Sequence, residues 1–258
     1  MEIVKDKIIT APKLLIYANS GIGKSTLANQ MPNAFFLDIE DGIKQYGFAR
    51  TPLIKDLDTF CKYLLELSKQ EPGDIKTIVI DSLDWLVDLI SNKISGVGYG
   101  DDGKKAQGFV ALENSLTKNL MDAAGGWGKG KDVLRNYITS LLFPMLTLLN
   151  QKGYAIVLIA HAYQTDILDD DGATVEKIMP KIDPATIGKK PIAAPAFIEW
   201  VDNLFYLKKV NGERILQVEA DNYAMAKNRL GLEKPEYNLS ETNIQEILGL
   251  TNKKGEKK

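Results

Sequence analysis

Residues 18–25 read Ala-Asn-Ser-Gly-Ile-Gly-Lys-Ser, a set of residue types and spacings suited to gripping a chain of phosphates. Gly21 and Gly23 let backbone N–H groups turn inward around an anion, and the Lys24 ammonium adds a point charge where β- and γ-phosphates would lie. A helix beginning just after them would direct its positive end to the same place. Ser25 offers a hydroxyl to Mg²⁺, and Thr26 can reach an α-phosphate. The run Ala18, Asn19, Ser20, Gly21, Ile22, Gly23, Lys24, Ser25 fits the Walker A pattern with Ala18 in place of its first glycine. Such a site also needs a carboxylate for the metal, and Ile78-Val79-Ile80-Asp81 ends an apolar run in one. Asp81-Ser82 precedes a helical stretch, so helix capping is the competing explanation for that acid.

These groups need elements to hold them. Leu14–Tyr17 reads as a strand entering the glycine loop, and Leu27-Ala28 as part of the helix leaving it. Ala34–Leu37 is a second strand, ending in Asp38-Ile39-Glu40-Asp41-Gly42. Phe60, Tyr63, Leu64 and Leu67 give Thr59–Ser68 helical spacing, and Glu71-Pro72-Gly73-Asp74 stops it. Thr77–Ile80 and Tyr154–Ala160 are apolar enough to be strands buried on both faces, the second ending at His161. Leu83–Ile94 and Val133–Leu149 have helical periodicity, and the glycine-rich stretch 96–130 brackets a further helix, Phe109–Ala124. Residues 162–195 are polar and are expected to form a long, weakly structured connection with a turn at Asp169–Gly172. Val201–Lys208, Arg214–Ala220 and Tyr223–Lys227 read as short strands, the first two joined by the hairpin turn Asn211-Gly212. Ser240 is placed to cap a short helix, Glu241–Leu248. The expected fold class is α/β, a mostly parallel sheet flanked by helices with an antiparallel C-terminal extension. Residues 1–250 make one domain, and 251–258 form a charged, disordered tail.

Composition narrows the classes. The chain has 258 residues, 32 basic and 34 acidic side chains and a net charge of −2, so any nucleic-acid binding must come from local patches or from an assembly. A lone Cys61 cannot close an internal disulfide, and Met-Glu-Ile-Val-Lys-Asp-Lys leads into no apolar signal segment, so a cytoplasmic location is expected. The apolar run Ala155–Ala160 is far too short to span a bilayer, and no membrane role is expected.

Four separated segments resemble the RecA-like P-loop ATPases. Phe36-Leu37-Asp38-Ile39-Glu40-Asp41-Gly42 is similar to the segment that carries the family's catalytic glutamate, with Glu40 at the matching position. Thr77-Ile78-Val79-Ile80-Asp81-Ser82 is similar to its Walker B. Ile156–Ala160 with His161 is similar to the strand whose polar end senses the γ-phosphate, and Ala226-Lys227-Asn228-Arg229 resembles the basic segment that reaches the ATP of a neighbouring subunit. The compact form resembles phage-encoded RecA-like nucleotide-binding proteins of single-strand annealing and recombination. The resemblance implies ATP and Mg²⁺ as cofactors, DNA-stimulated ATP hydrolysis, and a homo-oligomer, filament or ring, with ATP between subunits. It also implies single-stranded DNA as partner, a single-stranded DNA-binding protein as a further one, and the host cytoplasm as location for a phage-encoded chain.

Glu40 would orient the attacking water, His161 would report the γ-phosphate, or link to Asp38 or Glu40, and Lys227 and Arg229 would act on the adjacent subunit. Arg229 is one of only four arginines among the 32 cationic residues, and a planar fork suits a transferring phosphoryl group. In the family two loops bind DNA. The matching regions hold Tyr99, Lys104, Lys105, Trp127, Lys129 and Lys131 in the first, and Lys181, Lys189 and Lys190 in the second. Two other classes stay open: a P-loop kinase for a nucleotide or metabolite, and a hexameric RecA-core motor or switch that does not act on single-stranded DNA.

Overall fold

The apolar runs at 14–18, 77–81 and 155–160 form the middle of one sheet, because strands buried on both faces need a layer packed against each. The computed structural model of the protein describes residues 11–95, 97–99, 105–107, 120, 121, 123, 124, 127–168, 171–183 and 191–250. Strand β1 (Lys13–Ala18) leads into α1 (Lys24–Ala28), then β2 (Ala34–Asp38), α2 (Leu57–Ser68), β3 (Thr77–Asp81) and α3 (Leu83–Ser95). A small hairpin, β4 (Val97–Tyr99) with β5 (Lys105–Gln107), precedes α4 (Lys129–Tyr137), a π turn (Ile138–Leu142) and α5 (Phe143–Gln151). After these come β6 (Ala155–Leu168), β7 (Thr174–Lys181), α6 (Ala193–Trp200), β8 (Asn203–Val210), β9 (Glu213–Gln217), β10 (Lys227–Asn228), β11 (Glu236–Asn238) and α7 (Ile244–Ile247).

The main sheet runs β11-β9-β8-β1-β6-β3-β2, with β10 on β8 and β7 on β6. The five strands from β8 to β2 are parallel, and β7, β9, β10 and β11 add antiparallel pairings. In this order β6 is inserted between the phosphate-loop strand β1 and the Asp81 strand β3. Alternate residues feed the two layers. Leu15 and Tyr17 join the cluster under α2, α3 and α5, while Leu14 and Ile16 join the one under α1 and α7. Truncating such a leucine to alanine costs about 2–5 kcal/mol.

Several sequence expectations change. The segment after Ala160 is not an irregular connection: β6 continues to Leu168 and pairs antiparallel with β7, Leu168 opposite Thr174, while the first half of the turn expected at Asp169–Gly172 lies outside the described residues. The hairpin projects past the sheet and buries little, so its polar residues carry no apolar alternation for the sequence to display. Helix α6 was not anticipated, because the Asp183 carboxylate accepts from the Ile192, Ala193 and Ala194 N–H groups at 2.6–2.9 Å, a cap from nine to eleven residues away. Val133–Leu149 is interrupted by the π turn. β8, expected in the antiparallel extension, pairs in parallel with β1 and antiparallel with β9, so it joins the two halves. Tyr223–Lys227 is not a continuous strand: Ala224 makes one parallel bridge to Ile178 of β7 and Lys227 begins the two-residue β10, while Arg214–Ala220 shortens to β9, Glu213–Gln217. The last helix is capped by Asn243 and not Ser240, in a reciprocal box with Glu246. The helix expected at 109–124 and the tail 251–258 lie almost wholly outside the described residues. No helix among the described residues is long and apolar enough to cross a membrane.

Candidate nucleotide site

Strand register assembles the chemistry at one edge. His161 lies beside Ala18 on parallel neighbours, and Asp81 lies beside Asp38, so the carboxyl ends of β1, β3 and β2 and the middle of β6 bring the phosphate loop together with three of the four family-like segments, those of Glu40, Asp81 and His161. The loop out of β1 turns through Gly21 at φ 76° and Gly23 at φ 106°, left-handed values that a side chain resists. Lys24 and Ser25 then begin α1.

The Lys24 ammonium is buried and donates to the carbonyls of Ala18 and Asn19 at 3.3 and 3.4 Å. Burial lowers its pKa, while Glu40, Asp81 and Asp84 pull the other way. Ser25 Oγ donates to Asp81 Oδ2 at 2.7 Å. Burial pushes the Asp81 carboxyl up to about 6, against that hydrogen bond and the Lys24 charge. A hydroxyl touching a buried carboxylate beside a phosphate loop is a pair of hard oxygen donors, and these residues fit Mg²⁺.

Three acids follow β2, and their partners separate them. Asp38 is fully buried and structural: it accepts from the Asp41 N–H at 2.9 Å and from Arg50 at 3.2 Å, shaping the loop 38–51. Asp41 pairs with Lys44 at 2.6 Å. Glu40 is left facing the cleft, where its Oε1 lies 3.5 Å from His161 Nε2. The other ring nitrogen, Nδ1, lies 2.9 Å from Asp84 Oδ2. That hydrogen bond raises the His161 pKa against the effect of burial. Burial alone would raise Asp84, but the bond to His161 and the charge of its ring hold the carboxyl below its ordinary value.

The result is a cleft of about 280 Å³ walled by Ser20, Gly21, residues 23–26, Glu40, Tyr46, Asp81 and His161. A larger one of about 550 Å³ opens between α4 and α6, but it holds no phosphate loop, so chemistry and not size identifies the site. Three residues here escaped the sequence reading. Asp84 resembles an ordinary acid in a helix's first turn. Tyr46 is a half-exposed ring stacked 5.2 Å from Phe48, in a loop with no motif. A Cβ on Gly23 would come within 3.0 Å of the Arg214 guanidinium, so an arginine from β9 covers the phosphate loop from the side. Only tertiary folding brings those two together.

Lys227 and Arg229 sit at the opposite edge. β10 pairs with the start of β8, where Asn203 is also the register partner of Leu14, four residues before Ala18. That is about 13 Å along the strands from the chain's own phosphate loop. Lys227, expected to serve a neighbouring subunit, instead donates to the carbonyls of Ile198, Glu199 and Val201 at 2.9, 3.2 and 2.6 Å, capping the end of α6. Arg229 is exposed, its backbone N–H held by Asn203 Oδ1. Of the expected DNA-loop residues, Trp127 is 99% exposed, with exposed Lys129 two residues on at the start of α4. Lys131 lies within α4, Tyr99 on β4 and Lys105 on β5. Lys181 pairs in register with His161 across β6 and β7. Lys104, Lys189 and Lys190 lie outside the described residues.

A mostly parallel α/β core with this cleft defines a P-loop nucleoside triphosphatase. The chain matches the model of the AAA domain family over residues 10–230, and it belongs to that family. No curated protein matches it. Among solved structures it is similar to the crystal structure of the RadB recombinase, at 14% identity over 81% of each chain and a TM-score of 0.42.

Proposed function

We propose that this chain hydrolyses ATP as an assembly on single-stranded DNA, in recombination or strand annealing of the kind carried out by phage-encoded RecA-like proteins. The observation that carries the hydrolytic reading is the convergence of Lys24, Ser25, Asp81, Glu40 and His161 on one cleft. In this reading Lys24 exchanges its two long carbonyl contacts for the β- and γ-phosphates. Ser25 and Asp81 would hold Mg²⁺, which when bound neutralises developing phosphate charge. Glu40 orients the attacking water and His161 meets the γ-phosphate. Tyr46 offers a ring face to the base, and Arg214 a cation beside Gly23 of the phosphate loop.

The oligomeric part rests on the arginines. Arg50 is engaged by Asp38, Arg214 flanks Gly23, and Arg229 is exposed at the far edge of the sheet. Of the two exposed arginines, Arg135 on α4 and Arg229, only the second lies in the segment that resembles the family's inter-subunit basic segment, so a planar cation for the transferring phosphoryl group comes best from Arg229 of another copy. Trp127 beside Lys129 supports single-strand binding, since a bare ring and a cation suit an unstacked base and its phosphate. The β6–β7 hairpin starts at His161 and ends at Lys181, which gives the second loop a direct path to the phosphate end of the site.

The test is ATP turnover against protein concentration, with and without single-stranded DNA. The expected rate per subunit rises with both, and Glu40→Gln keeps ATP binding while turnover falls about 100-fold. A concentration-dependent rate that ignores DNA removes the single-strand role. Phosphate transfer to a nucleotide without DNA replaces the reading with a kinase.

A further inference from the structure

Behind the cleft, in the first turn of α3, the nearly buried Asp84 carboxylate reaches His161 from the side away from Glu40. Its second oxygen, Oδ1, is buried with no well-formed hydrogen bond among the described residues; Ser82 and the backbone N–H of Asp84 help to hold the charge, and the contact to His161 is the largest compensation for its burial. The imidazole is thus gripped at Nδ1, 2.9 Å from Asp84, and touches Glu40 only loosely at Nε2, 3.5 Å away. We propose that Asp84 is a positioning residue that fixes the His161 ring, so that Nε2 alternates between Glu40 and the γ-phosphate and thereby holds or releases the water-orienting carboxylate. This rests on the hydrolase reading above and deepens it.

The physical reasoning is one of donors. Both ring nitrogens carry a proton only in the imidazolium, the form favoured by a carboxylate at each nitrogen, and with Nδ1–H donated to Asp84 the Nε2–H is the one ring donor left for everything in the cleft. With the cleft empty, Glu40 Oε1 is the acceptor at hand. A γ-phosphate oxygen carries more charge and competes for the same N–H, which frees Glu40 to take a water. Without Asp84 the ring can rotate or change tautomer, and neither arrangement is enforced.

His161 is the chain's one histidine, so a long-range ¹H–¹⁵N spectrum of the labelled protein contains a single imidazole. The expected wild-type spectrum shows Nδ1 protonated and the ring in one state, and Asp84→Asn shifts both ring nitrogens. Identical ring signals in the two proteins overturn the proposal, whatever the enzyme's activity. In turnover, Asp84→Asn is expected to lower kcat about tenfold or more with ATP affinity within about threefold. The double variant Asp84→Asn/His161→Gln should lose no more than His161→Gln alone, and additive losses overturn the proposal. Asp84→Glu, which keeps the charge on a longer arm, should retain the protonated Nδ1 with an intermediate kcat. Absence of ATP turnover in the wild type defeats the hydrolase reading, while the ring spectrum still decides whether Asp84 sets His161.

Discussion

Lys24 and Lys227 both donate to backbone carbonyls and both have pKa values lowered by burial, yet the two edges of the sheet use them in opposite ways. Lys24 makes two contacts of 3.3 and 3.4 Å, at the long limit of hydrogen bonding, and faces acids across a cleft. Lys227 makes three of 2.6–3.2 Å, aimed at the carbonyls that α6 leaves unpaired. A loosely held charge is available to a ligand, whereas a fully satisfied one holds the fold. The same residue type thus marks a binding edge and a structural edge, and the distinction lies in how many partners the backbone supplies.

The sharpest way to break this contrast is Lys24→Ala. It should reduce ATP binding and turnover about 10³-fold or more, with nucleotide-free stability unchanged or raised, as read by calorimetry and urea unfolding. A stability loss equal to that of Lys227→Ala would erase the distinction. Arg229→Ala comes next: turnover at high protein concentration should fall about 100-fold while stability stays within about 0.5 kcal/mol, and ATP binding by dilute protein is unchanged. Lys227→Ala should instead cost about 1–2 kcal/mol in urea unfolding and leave the ATP affinity of the folded protein intact.

The smallest effect is one of pH. The folded His161 pKa is raised above its ordinary 6.5, mainly by Asp84 from α3, with Glu40 adding to it and burial and Lys24 opposing. Its stabilisation is therefore complete below about 6.5 and lost as pH rises through the raised folded value. His161→Gln should remove that part of the stability decline above neutral pH, and an unchanged decline would show that the pair contributes nothing.

The parallel core was readable because its apolar runs are buried on both faces and stop at residues placed at the cleft: Ala18, Asp81 and, midway along β6, His161. The β6–β7 hairpin and α6 were not, since one carries no apolar alternation and the other is capped by Asp183 from outside its own sequence. The resemblance singled out Glu40 from Asp38 and Asp41; the fold adds that Arg50 and Lys44 engage the other two while Glu40 faces the cleft.

The glycine loop, the Asp81 carboxylate that closes an apolar strand and the succession of core elements along the chain are legible locally, because glycine conformations and buried periodicity are local properties. Tertiary structure alone decided which charges are free. Asp84 reaches His161 across 77 residues, Arg214 covers Gly23, and Lys227 closes α6, because hydrogen-bond satisfaction depends on what the fold brings within about 3 Å.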